Sequence, residues 1–325
     1  MAKTRYAPDR GLTARMTLTI FLLGVVFVAF ITALVFILGA TNKVSGGGIV
    51  FIAVVVGLAL GVGSFWYSDK IALSTAQARL ISPQDGPQAA RVHGIVDRLT
   101  ALANMPKPRL AIAPSPMLNA FATGRNEKTS VLVVTTGLLN NPNLDDRELE
   151  AILAHELSHV AHKDVAVMTI ASFIGIIAGL LVRFAFYSEL FGGGGRSNNN
   201  NQNGGALPVV LVVLVVGIVT YAVSFLLIRL LSRYRELAAD RAGALLTGQP
   251  SALASAMQKV SGSMNAIPTK DLRAAEPLNA FYFIPAFKTK GKEVSLNNLF
   301  STHPSLERRL RQLSEISEQL NSPSS

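Results

Sequence analysis

The run from Glu150 to Asp164, EAILAHELSHVAHKD, gathers His155, Glu156 and His159 into five residues and leads directly into the uncharged stretch Val165–Val182. A helix is expected to begin near Asp145, where Asp145 and Glu148 have the spacing of a capping box. Leu149, Ile152, Leu153, Leu157 and Val160 then recur at helical intervals. No proline or glycine interrupts the chain before Val165, so the helix is expected to run toward the apolar stretch unbroken.

Residues four apart share one face of a helix, so His155 and His159 can reach one metal ion, with Glu156 beside the water that the ion activates. That is the chemistry of amide hydrolysis: the ion activates water and carbonyl, and the carboxylate takes a proton and returns it to the leaving amine. With five His among 325 residues, a chance match has a probability on the order of 0.3% for a whole chain.

A catalytic zinc ion takes three protein ligands and keeps a fourth position open. The chain has no cysteine, so the third ligand must be His, Asp or Glu. A third His at the longer spacing is absent: the position that needs glycine is His162, and the one that needs histidine is Val165. Glu236, in Arg235-Glu236-Leu237-Ala238-Ala239-Asp240, is the chosen carboxylate, since Asp240 one turn later can orient a ligand imidazole. Alone, a Glu-x-x-x-Asp pair reads equally well as a solvated helix face. Its place favours the ligand. His159 stands six residues before Val165 and Glu236 eight after Ile228, so on continuous helices both lie about 9–12 Å above one membrane surface. His162 is read as a neighbour of the ligands, and His93 as structural or surface.

Half of the residues are hydrophobic and 15% are charged, where soluble domains carry about a quarter charged. Met16–Ala40, Ile49–Tyr67, Val165–Val182 and Leu207–Ile228 are uncharged, and each reaches the roughly 18 residues that suggest a transmembrane helix. The first is too long for a signal peptide core and is read as an uncleaved anchor. Lys3, Arg5, Arg10 and Arg15 precede it, Lys70 and Arg79 follow the second stretch, and Arg229, Arg233, Arg235 and Arg241 follow the fourth. Arg183 ends the third stretch, where its long side chain can snorkel to the far interface, and the two connecting loops otherwise hold only Lys43 and Arg196 near the helices. The positive-inside rule then puts both termini and the soluble segments in the cytoplasm. The formal charge of +10 is assigned to contact with an anionic leaflet rather than with nucleic acid. The stretches carry no ionisable residue near mid-bilayer, which argues against a transporter or channel.

Four segments follow: an arm and first hairpin over 1–67, a catalytic segment over 68–164, a second hairpin over 165–230, and a helical segment with a disordered tail over 231–325. In the catalytic segment, 77–103 is expected to be an amphipathic helix stopped by Pro106 and Pro108, with strands over 109–113 and 130–136 and a short segment over 119–122. The Gly/Asn-rich 192–205 is expected to be an external loop, and breaks are expected near Gly248-Gln249-Pro250 and Ile284-Pro285.

Five runs carry a family likeness: 119–126 (NAFATGRN), Thr136-Gly137-Leu138-Leu139, 150–164, 235–240 and Thr302-His303-Pro304-Ser305. With the four spans in order, the chain resembles the HtpX-type membrane zinc metalloproteases, relatives of the CaaX prenyl endopeptidases. The resemblance implies a mainly α polytopic membrane protein with four transmembrane helices and a cytoplasmic zincin-like α+β metalloprotease domain. It implies one Zn2+ per chain on His155, His159 and Glu236, with Glu156 as base. It further implies substrate backbone along Asn119, Ala120 and Phe121, and His303 and Arg309 on the oxyanion or substrate. The implied partners are the lipid bilayer and polypeptides, chiefly misfolded or damaged membrane proteins cut in quality control at the cell membrane. Processing of CaaX proteins fits less well, since those relatives have more spans, and a non-catalytic zinc scaffold would need no Glu156.

Overall fold

The computed structural model describes residues 10–40, 65–169, 206–264 and 303–322 throughout, with scattered positions at 55–63 and 171–180. The chain forms two compact units, one of Met1–Met16, Phe65–Val167 and Ser232–Ser325, the other of Thr17–Ser64 and Met168–Leu231.

The first unit is built on a four-stranded sheet of β1 (Arg79–Leu80), β2 (Arg109–Ala113), β3 (Ala120–Thr123) and β4 (Val131–Thr135), in the order β1-β2-β4-β3. β2 and β4 are parallel, with Leu110 opposite Leu132, while β1 and β3 pair antiparallel at the two edges. The continuous apolar run of β4 reflects burial on both faces. Leu132 and Val134 join the main core, whereas Val131 and Val133 join a smaller cluster with Phe121, Ala72 and Ala76. The latter two belong to α2 (Ser68–Thr75) and the residue that ends it.

The main core takes Val92, Val96 and Leu99 from α3 (Pro87–Ala103), and Ile152, Leu153 and Leu157 from α5 (Asp146–Ala161), which follows the short α4 (Thr136–Leu139). Met257 and Val260 of α7 (Pro250–Met264) and Leu313 and Ile316 of α8 (Leu306–Asn321) complete it. α3 starts ten residues later than the sequence reading. Pro87 occupies its first turn after Gly86 at φ +114°, and the preceding chain pairs as β1 instead. The strand over 109–113 stands as expected, and that over 130–136 is trimmed to Val131–Thr135.

The capping box of α5 is formed, with Glu148 N donating to Asp145 Oδ1 at 2.8 Å and Asp145 N to Glu148 Oε2 at 3.0 Å. The expected unbroken run into 165–182 is not. α5 ends at Ala161, and Lys163 turns in the left-handed region at φ +56° before helix resumes over 164–169. The expected break after α6 (Ala206–Thr247) is present, with Gly248 at φ +66° and α7 beginning at Pro250. α8 holds helix through Asn321.

Among the described residues two helices are long and apolar enough to cross a membrane. They are Arg10–Phe30 of α1 (Arg10–Ala40), with mean hydropathy 2.0, and Leu214–Thr247, with 2.3. Only 17% and 22% of their apolar windows are buried, unlike a core helix of a soluble domain. The stretch Ile49–Tyr67 lies largely, and Val165–Val182 in part, outside the described residues, as do 192–205 and Ile284-Pro285 entirely.

Candidate metal centre

α5 and α6 build the centre. His155 and His159 project from α5 one turn apart, their Nε2 atoms 3.3 Å from each other. Glu236 of α6 reaches both, Oε2 at 3.7 Å from His155 Nε2 and Oε1 at 3.6 Å from His159 Nε2. One donor atom from each of the three lies within 4.8 Å of the others, and all three residues are buried. The helices approach this closely because Gly243 of α6 has no side chain. A Cβ there would stand 2.9 Å from the His155 backbone nitrogen, inside van der Waals contact.

Both ligand imidazoles are held from behind. His155 Nδ1 lies 2.9 Å from Asp240 Oδ1, and His159 Nδ1 lies 2.5 Å from Asp164 Oδ2. Each carboxylate is gripped in turn by an arginine. Arg309 of α8 donates to both oxygens of Asp240, at 2.7 and 2.6 Å, and Arg235 Nε lies 3.0 Å from Asp164 Oδ2. Two relays, Arg309–Asp240–His155 and Arg235–Asp164–His159, thus fix both rings with Nε2 turned toward Glu236. The second exists because α5 breaks at Lys163, which lets Asp164 fold back.

Electrostatics follow from this packing. Burial alone would lower the His155 pKa, but the Asp240 and Glu236 carboxylates raise it to about 9. Burial would raise Glu236, yet the charges of His303 and His159 and the bond from His155 hold it well below the usual carboxylate range. Asp164, despite burial, is held at about 2 by Arg235 and His159. Glu156 goes the other way: burial pushes its pKa up against the pull of both imidazoles. Its Oε1 lies 4.0 Å from His155 Nε2, and its Oε2 accepts a bond from the Ala122 N–H at 3.3 Å.

The donor set suits zinc. A tetrahedral ion with bonds of about 2.0–2.1 Å spaces its ligand atoms about 3.3–3.4 Å apart, which matches the 3.3 Å between the two Nε2 atoms. Two nitrogens and a carboxylate, each imidazole fixed through its other nitrogen, form a borderline-soft set of three, the number that a catalytic zinc site takes from the protein.

His303 Nδ1 stands 3.2 Å from Glu236 Oε2, while Arg309 Nη1 is 3.8 Å from the same oxygen. β3 lies beside Glu156 through Ala122. Asn119 spends its backbone on Thr135, the Phe121 side chain packs into the smaller cluster, and β3 is an edge strand of the sheet. His162 closes the C-terminus of α5 outside the group of three, and His93 bonds the Ile81 carbonyl at 3.1 Å. Asp164, Arg235 and Gly243 have no role in the site as the sequence reads it. Nothing in a pattern of helical spacing connects His159 with a residue five further on.

A model of peptidase family M48 matches residues 87–317. Protease HtpX homolog 1 of Streptomyces coelicolor is 54% identical over 318 residues, 98% of this chain and 97% of that one. Protease HtpX homolog of Moorella thermoacetica is 46% identical over 96% of each chain. The crystal structure of S. mikatae Ste24p aligns with a TM-score of 0.47 and 17% identity, covering 94% of this chain and 66% of that one.

Proposed function

The chain belongs to peptidase family M48, and from that premise we propose that it cuts misfolded or damaged membrane proteins on the cytoplasmic side of the cell membrane. It is a zinc-type metalloendopeptidase. The observation that carries the reading is the buried group of His155, His159 and Glu236, with the Glu156 carboxylate at its edge.

His155, His159 and Glu236 would hold one zinc ion, which when bound acts as a Lewis acid toward a peptide carbonyl and lowers the pKa of water to about 7. Glu156, raised in pKa by burial, takes a proton from the attacking water and delivers it to the leaving amine. The Ala122 N–H fixes the carboxylate for that transfer. An extended polypeptide adds along the outer edge of β3, by Ala120 and Phe121, as a further strand, while Asn119 sets the start of that edge through its bonds to Thr135. His303, beside Glu236, stabilises negative charge on the carbonyl oxygen. Arg309 acts with Asp240, the pair holding His155 from behind.

Four spans, Met16–Ala40, Ile49–Tyr67, Val165–Val182 and Leu207–Ile228, with both termini cytoplasmic, complete the proposal. Their uncharged lengths and the basic residues beside them support it. The test is digestion in lipid vesicles of an unfolded membrane protein and, separately, a prenylated CaaX peptide. The first should be cleaved, with activity lost on chelation and restored by zinc. Cleavage of the prenylated peptide alone would overturn it in favour of CaaX processing.

A further inference from the structure

Where the substrate edge strand ends, an aromatic and basic cluster has no part in the chemistry. β3 leaves its ladder at Gly124, φ +136°, where a Cβ would fall 2.6 Å from Ser130 Cα. This fixed turn delivers Arg125, whose guanidinium lies 4.3 Å from the centroid of the Trp66 ring. Lys70 stands 5.4 Å over the neighbouring Tyr67. Trp66 and Tyr67 are 53% and 55% exposed and Ile71 51%, a cost with no return in an aqueous fold.

Two features tie this cluster rigidly to the catalytic unit. Asp69 and Arg109 of β2 pair at 2.6 Å, and Ala72 and Ala76 share the smaller core with Phe121 of β3. The helix that carries Lys70 and Ile71 therefore packs directly on the strand that borders Glu156. Trp and Tyr with flanking basic residues suit the headgroup layer of a bilayer, and Trp66 and Tyr67 close the uncharged stretch Ile49–Tyr67.

We propose that Trp66, Tyr67, Lys70 and Arg125 form a contact with anionic lipid headgroups that holds the edge strand β3 at the membrane surface, so that the site takes extended segments directly flanking a membrane span. The inference rests on the peptidase reading above and adds where its substrates come from.

The experiment uses the full zinc-loaded protein in vesicles containing phosphatidylserine, with three substrates. The first is a single-span protein whose unfolded cytoplasmic segment starts at the span, the second carries the same segment behind a long folded spacer, and the third is soluble casein. The wild-type protein should cut the span-adjacent segment faster than the spaced one. Arg125→Gln, and separately Lys70→Gln, should each cut that preference by about fivefold while casein cleavage stays within twofold. Trp66→Ala should do the same, with Trp66→Phe restoring most of it. Replacing phosphatidylserine by phosphatidylcholine should erode the wild-type preference. Variants that keep the preference would overturn the proposal, as would a preference that follows acidic residues in the substrate and ignores the lipid. Failure of the wild-type protein to cut casein would instead remove the peptidase reading itself.

Discussion

His159 Nδ1 and Asp164 Oδ2 stand 2.5 Å apart, although five residues, a step of about 140° around a continuous helix, separate them. The contact needs the break of α5 at Lys163, φ +56°. The end of the helix is thus part of the candidate metal centre: it returns a carboxylate to the His159 imidazole, and Arg235, next to Glu236, holds that carboxylate in place.

Asp164→Asn should therefore weaken zinc binding by about 10–100-fold, the usual effect of removing a partner that orients a ligand histidine. Chelator competition measures it. An unchanged affinity would mean that Asp164 serves only to pair Arg235.

Gly243→Ala tests the helix approach. The added methyl meets the His155 backbone at 2.9 Å, so α5 and α6 must separate, at about 1–3 kcal/mol of stability. Thermal melting of the metal-free protein and its zinc affinity should both fall. If neither changes, the packing of the two helices does not govern the site.

Acid should strip the metal. In the metal-free protein the His155 pKa is raised from 6.5 to about 9, so zinc must displace its proton at any pH below that value. Affinity should rise with pH and level off near 9. The metal-free protein should show the opposite trend. Stability from the protonated His155 is fully present below about 6.5 and is lost as pH rises through about 9. Zinc titrations and melts between pH 6 and 10 check both slopes, and parallel slopes would contradict the assignment.

Much of the centre was legible in the sequence because it rests on local geometry. The spacing of His155 and His159 fixes a helix face, and the Asp145–Glu148 box fixes where that helix starts. Glu236 was reachable through Asp240 one turn later, the order of the apolar stretches and the family likeness. Asp164 and Arg235 were visible as residues but not as partners, since the break that joins them occurs at Lys163, a residue with no turn signature. Gly243 is likewise mute in sequence, because a glycine within a helix acquires meaning only from the helix against it. The start of α3 was misplaced because the apolar spacing after Gln77 overshadowed Pro83, Gly86 and Pro87.

Topology gives a further expectation. A protease site inserted within 192–205 should be cut only from outside the cytoplasm. Cutting from the cytoplasmic side would mean that Val165–Val182 does not cross.

The proposed chemistry divides the labour: His155, His159 and Glu236 bind the metal, and Glu156 moves the proton. Zinc content and casein cleavage, measured on the same preparations of wild type, Glu156→Gln and Glu236→Ala, test it most directly. Glu156→Gln should keep about one zinc per chain and lose cleavage, while Glu236→Ala should lose both. Near wild-type cleavage by Glu156→Gln, or full zinc retention by Glu236→Ala, would contradict it.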